Sequence, residues 1–180
     1  MGVWLNTPRR SGAHAPGLSA FYGTMASEVS SEAPPNPKAM FYETKAFEEF
    51  ELGDKATFTK TISDADLLMF SAISGDNYPV HVDEEYAKST RFGGRIAHGL
   101  LTASLLSATN GMLLQKPGGI SLGQTLRFLK PVYPGDTITA CSEVIEIIAE
   151  KRRMRFRTTC TNQRGELVVD GEALEQKDSA

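Results

Sequence analysis

A chain of 180 residues, 41% of them hydrophobic, supports one ordinary domain with a buried core. Its formal net charge of −3 argues against nucleic acid as the main partner. Cys141 and Cys160 have neither metal nor redox spacing and read as reduced thiols of a cytosolic protein, while His14, His81 and His98 make no ligand cluster along the chain, so no metal is expected.

Residues 1–40 are rich in Pro, Gly, Ser and Ala, lack periodicity, and read as a flexible leader. They hold no continuous apolar core of a secretory signal. Arg9 and Arg10, with no acid before Glu28, are the only argument for organelle targeting against the cytoplasmic expectation, and Met25 and Met40 offer later starts. The folded domain is expected over 41–176, with a tail at 177–180.

Within the domain, residues 47–54 read as an opening turn, and Ala56-Thr57-Phe58-Thr59-Lys60-Thr61 as a first strand. Ser63 followed three residues later by Asp66 marks a helix start. That helix runs over 65–73 and stops near Gly75, leaving Asp76 just beyond its C-terminus. Asp76 and His81 are five apart with Pro79 between them, so no helical face holds both. The proline favours extended geometry at Tyr78 and a new direction from Val80. A turn there would bring carboxylate and imidazole onto one small volume, where the imidazole exchanges protons near neutral pH and the carboxylate shares its water or fixes its orientation. On spacing alone, Asp76 as a turn cap and His81 as a polar loop residue account for the same pattern. Residues 83–89 form a short solvent-facing helix whose acids suit its first turn.

Residues 96–115 carry no formal charge. His98, Gly99, Thr102, Ser104, Ser107, Thr109, Asn110 and Gly111 are too polar and small for a membrane span, so a helix enclosed by protein is expected. Gly99 near its start keeps a side chain out of a ligand's way, and free N–H groups there have the character of an oxyanion hole. A glycine needed only for packing would look the same. Between Tyr86 and Gly135 there is no Asp or Glu, whereas Lys88, Arg91, Arg95, Lys116, Arg127 and Lys130 all occur. Such an excess attracts an anionic ligand, unless the cations are merely scattered over the surface. At least one of Lys88, Arg91, Arg95 and Lys130 is expected at a pocket mouth.

The C-terminal half reads as strands: 122–129, a turn at 131–136, and a long β-branched strand at 137–148. Met154, Phe156, Thr158 and Cys160 alternate with Arg153, Arg155, Arg157 and Thr159, which places one face inward. Asn162-Gln163-Arg164-Gly165 reads as a hairpin connection to a last strand from Leu167 to Leu174. One long helix with about five antiparallel strands makes an α+β fold.

Four segments carry a resemblance: Phe70-Ser71-Ala72-Ile73-Ser74-Gly75-Asp76-Asn77-Tyr78-Pro79-Val80-His81, Ile96-Ala97-His98-Gly99, Ser121-Leu122-Gly123-Gln124-Thr125-Leu126-Arg127-Phe128 and Pro131-Val132-Tyr133-Pro134-Gly135-Asp136. In order and spacing, over residues 47–174, they resemble the MaoC-like dehydratase family, and within it the single-domain (R)-specific enoyl-CoA hydratases. The resemblance implies a hot-dog fold, an antiparallel β-sheet wrapped around one long central helix, usually as a homodimer. It implies that Asp76 and His81 hold and activate water, that the Gly99 N–H binds a thioester oxygen, and that Ser107 lies near the pocket. One departure is Tyr78 where the family usually has Asn before the proline, with Asn77 one residue earlier; substrate range or hydration rate is what this puts in question.

The implied reaction is reversible hydration of trans-2-enoyl thioesters to (R)-3-hydroxyacyl thioesters. No cofactor is expected, since coenzyme A or the phosphopantetheine of an acyl-carrier protein belongs to the substrate, and neither a nucleic acid nor a membrane partner is expected. Lys88, Arg91, Arg95 and Lys130 become candidate phosphate contacts. A thioesterase on the same fold would need a carboxylate on or beside the central helix, and the acid-free run counts against it. A non-catalytic acyl-thioester binding module would tolerate loss of the Asp76 and His81 pair, and Tyr78 is its only support.

Overall fold

Ser63 begins the first helix as its spacing with Asp66 predicts: each residue's side chain accepts a hydrogen bond from the other's backbone N–H, closing a capping box. The computed structural model describes residues 45–114 and 118–178, so the leader at 1–40, Lys116 and the last two residues lie outside the described residues. Helix α1 spans Asp64–Ser74 and ends at Gly75, whose φ of 77° allows its N–H to donate to Ser71 O. Tyr78 is extended, with ψ 128°. Beyond it, the chain makes a one-turn helix, α2 (Pro79–Val82), that the sequence reading lacks. Pro79 occupies its first turn, where no N–H is needed. Helix α3 (Glu84–Lys88) follows, capped by Asp83, and matches the short helix expected there.

Helix α4 covers Gly99–Leu114. Five strands surround it: β1 (Lys55–Thr61), β2 (Gly119–Phe128), β3 (Thr137–Ile148), β4 (Arg153–Asn162) and β5 (Leu167–Lys177). They form one antiparallel sheet in the order β1-β3-β4-β5-β2, and α4 touches every strand. This is the hot-dog arrangement. On β4 the alternation holds, with Met154, Phe156, Thr158 and Cys160 fully buried. They join α4 through two apolar clusters, one around Leu67, Leu105, Leu106 and Ile138, the other around Phe50, Leu114, Met154 and Phe156. Strand β5 continues through Lys177, three residues past the expected strand end at Leu174, and buries it.

The enclosure of α4 is one-sided. Leu101, Leu105, Leu106 and Thr109 are buried, but Leu100, Ser104, Ser107 and Gly111 are exposed. Steps of three and four put these exposed residues on one stripe. Strand β2 lies at the sheet edge, exposed along nearly its whole length, including Ile120 and Phe128. Among the described residues no helix is long and apolar enough to cross a membrane.

The closeness of β2 to β5 depends on glycine. A Cβ on Gly171 would lie 1.9 Å from the Thr125 carbonyl oxygen, and one on Gly119 would lie 2.7 Å from that of Gln176. Neither backbone group has room to yield without separating the strands. Gly171→Ala is therefore expected to cost about 1–3 kcal/mol of stability through overpacking. Urea denaturation should show a lower midpoint at unchanged slope.

Candidate active site

Two turns aim the first group. The Asp76 N–H donates to Ser74 Oγ at 3.1 Å, and Asp76 Oδ1 accepts from the Tyr78 N–H at 3.1 Å. Asp76 thus caps a turn, one of the two roles its spacing allowed, and its side chain also borders a cavity of about 570 Å³. The Asn77 amide donates to Gly75 O at 3.3 Å, bracing the loop from one residue before Tyr78. Tyr78 is exposed, and its ring meets His81 edge-on at 6.1 Å.

His81, on α2, is half-buried and borders the same cavity. Its Nδ1 donates to the Ile96 carbonyl at 2.8 Å, so Nε2 carries the lone pair. Burial lowers the His81 pKa below the ordinary imidazole value, with the Ile96 hydrogen bond opposing it. Ile96 is itself fixed, its N–H donating to Val80 O at 3.2 Å, and Ala97 N donates to Val132 O at 2.7 Å.

His98 is the residue whose role the sequence reading missed. It lies just before α4, is 2% exposed, and its Nε2 donates to the Asp76 backbone carbonyl at 3.0 Å, with Ser71 Oγ 3.3 Å away. Its ring stacks on His81 with centroids 3.8 Å apart. His98 therefore fixes the backbone of one candidate catalytic residue and the ring of the other. An imidazole inside a run otherwise free of charge was the available signal.

Gly99 opens α4, so its N–H stands ahead of the helical ladder and points into no preceding turn. It borders the cavity with Asp76, His81 and His98. A Cβ at this position would lie 2.9 Å from the Phe128 ring, so the glycine serves packing as well as access. Apolar walls come from Phe70, Val132, Val168 and Val169.

The remaining candidates divide. Arg91 and Lys130 border this cavity; Lys130 is tied to Glu166 at 2.7 Å, and Arg91 lies 4.9 Å from the Phe92 ring centroid and makes no ion pair among the described residues. Lys88 is paired with Glu85, and Arg95 with Asp64 and Glu84, and neither borders the cavity. Ser107 borders a different cavity, of about 530 Å³, together with Asn110, Ser121, Gln124 and Glu175.

The expectation that His81 and His98 take part in no ligand cluster needs correction, because packing α4 against the Asp76 loop stacks one ring on the other. Asp76, His81 and His98 offer donor atoms within 4.8 Å of one another and are the residues that could hold a metal ion. One ring nitrogen of each histidine already donates to a backbone carbonyl. The arrangement left open is a lone pair on His81 Nε2, a carboxylate and a helix-end N–H around one space, which suits holding and deprotonating a water beside a polarised carbonyl.

Comparison with known proteins identifies relatives in sequence and in fold. The chain is 46% identical over 127 residues to an (R)-specific enoyl-CoA hydratase of Rhodospirillum rubrum, covering 71% of this chain and 88% of the relative. It is 46% identical over 128 residues to a 3-hydroxybutyryl-CoA dehydratase of Methylorubrum extorquens, covering 71% and 81%. The unliganded structure of the R-hydratase PhaJ1 from Pseudomonas aeruginosa superposes with a TM-score of 0.70 at 46% identity, over 74% of this chain and 86% of that one. The model of the MaoC like domain matches residues 49–165, and the chain belongs to that family.

Proposed function

We propose that this chain catalyses the reversible hydration of trans-2-enoyl thioesters to (R)-3-hydroxyacyl thioesters. The observation that carries the reading is His81: its Nδ1 is occupied by Ile96 O, which turns a free Nε2 toward the cavity shared with Asp76 and Gly99. Water held between Asp76 and His81 adds its oxygen to the β-carbon while His81 Nε2 takes its proton. The Gly99 N–H stabilises the enolate oxygen formed on the thioester. Return of a proton to the α-carbon completes the addition, and dehydration retraces the same steps. Arg91, without an acid partner among the described residues, is the cation best placed for a phosphate of the acyl carrier.

A thioesterase would need a carboxylate on or beside α4; Asp76 borders the Gly99 cavity from the turn after α1, so thiol release in the assay below is what separates the two readings. Glu175 does touch α4, but at Asn110, eleven residues and about 16 Å of helix rise from Gly99. Burial raises its pKa, against the hydrogen bonds from Ser121 and Asn110 that lower it.

A second copy of the chain is the partner we propose for the exposed stripe of α4 and the edge strand β2. An unpaired strand edge is a template for another strand, and a two-fold axis would let β2 pair with its own copy. Leu100, Ile120, Leu122 and Phe128 supply apolar surface there. Sedimentation should give twice the chain mass, and Leu122→Asp should shift it towards one; a monomeric parent would remove the proposal.

Asp76→Asn and His81→Gln should each lower kcat/KM for crotonyl-CoA by about 10²–10⁴, followed as loss of the conjugated double bond with the product's chirality read as (R). Undiminished hydration in both variants, or thiol release without hydration, would reject the assignment. A pantetheine thioester, lacking the nucleotide phosphates, should show a higher KM in the same assay.

The pH profile tests the base directly. His81 works deprotonated, and burial disfavours its cation. Activity should therefore persist as the pH falls through the ordinary imidazole value and decline only below it. An acid limb at or above that value would place the proton acceptor elsewhere.

A further inference from the structure

The groups placed around the first cavity are also the donor set of a transition metal. His81 gives its Nδ1–H to the Ile96 carbonyl at 2.8 Å, so the lone pair sits on Nε2, in a half-buried ring that borders the cavity. Asp76 is exposed at the same cavity; its Oδ1 accepts the Tyr78 N–H at 3.1 Å, and its Oδ2 has no partner among the described residues. One donor atom from each of Asp76, His81 and His98 lies within 4.8 Å of the others. An ion about 2.0–2.2 Å from each nitrogen or oxygen spans donors up to about 4 Å apart. A modest rotation of the exposed Asp76 carboxylate covers the difference.

The contacts behind these donors match those of a ligating histidine, whose other ring N–H ordinarily goes to a backbone carbonyl or a carboxylate that fixes its tautomer and aim. His81 meets this condition through Ile96 O, and Ile96 is held in turn by its N–H to Val80 O at 3.2 Å. His98 differs. Its Nε2–H is committed to the Asp76 carbonyl at 3.0 Å, and its Nδ1 is buried. It therefore supports the site through the Asp76 backbone and the His81 ring, stacked at 3.8 Å, and leaves ligation to the other two.

The donor types say which ion fits. One imidazole and one carboxylate suit zinc and its neighbours among the divalent transition metals, whereas magnesium and calcium prefer oxygen alone. Structural zinc sites use four protein ligands and catalytic ones three, so two make an exchangeable site completed by water. The consequence for hydration is direct: an ion on His81 Nε2 occupies the lone pair that would take the proton of the attacking water.

We propose that Asp76 and His81 form an exchangeable site for a divalent transition metal of the zinc type, and that the bound ion reversibly stops hydration by taking the His81 lone pair. The inhibition rests on the enoyl-thioester hydration proposed above. The binding does not, because it needs only the two side chains and the contacts that aim them.

The test uses the full chain without an affinity tag, stripped of metal by a chelator. Calorimetry without substrate should show a site for Zn²⁺ that Mg²⁺ does not fill. Asp76→Asn and His81→Gln should each weaken zinc binding by at least about 10–100-fold, the loss that follows even when only a ligand's supporting contact is removed. In the parent protein, saturating zinc should lower kcat/KM for crotonyl-CoA by about 10²–10⁴, as removal of the base does. Added chelator should restore the rate, and the same concentration of Mg²⁺ should leave it unchanged. The kinetic arm decides the matter if neither variant folds. Zinc binding unmoved by both substitutions, hydration unmoved by saturating zinc, or equal inhibition by Mg²⁺ overturns this inference alone. So does hydration that begins only when zinc is added, which would make the ion a participant. Hydration of no enoyl thioester, with or without metal, overturns the assigned reaction and the inhibition with it.

Discussion

The site depends on a single buried imidazole. His98 donates through Nε2 to the Asp76 carbonyl and stacks its ring on His81, so the turn after α1, the short helix α2 and the start of α4 meet at one side chain. The hydrogen bond fixes the Asp76 backbone and the stack limits how His81 can rotate. His81 is then locked from the other side by Ile96 O, whose own N–H is held by Val80 O. These contacts position both groups before any ligand arrives, the condition under which proton transfer and charge stabilisation are effective.

Much of the fold was legible because its local signals agree with one another. Ser63 with Asp66 marks the start of α1, Gly75 its end, and the alternation from Arg153 to Cys160 assigns an inward face that the structure buries. The turn that carries Asp76 was also readable, since Gly75 and Pro79 bracket it. What could not be read depends on contacts between distant segments. Nothing local tells that His98 meets Asp76, twenty-two residues away, or that Pro79 begins a helical turn. Glu175 escaped notice for a related reason. Glu175 lies just past the expected end of the last strand at Leu174, and the pairing of β5 with β2 and the packing of α4 turn it inward.

The uncharged composition of α4 has two causes. Its buried side fills the space inside the sheet through Leu101, Leu105 and Leu106. Its other side borders the two cavities, where small residues such as Gly99 and Ala103 leave space, and runs into the exposed stripe from Leu100 to Gly111, next to a strand with one free edge. The expectation of enclosure holds for the face toward the sheet and not for the stripe from Leu100 to Gly111, which is exposed in the single chain.

Stability alone does not account for Glu175. A leucine or valine at its position would keep the inward alternation and remove a buried oxygen with nothing to bond, and a partly satisfied polar network is a poorer core than an apolar one. Yet the surrounding groups are arranged to orient the carboxyl group: Thr109, Ser142 and Asn110 form a relay, and Ser121 closes it from β2. The relay fixes Oε1 between two donors and leaves Oε2 buried without a partner among the described residues, a desolvation cost that the packing of β5 against α4 has to offset.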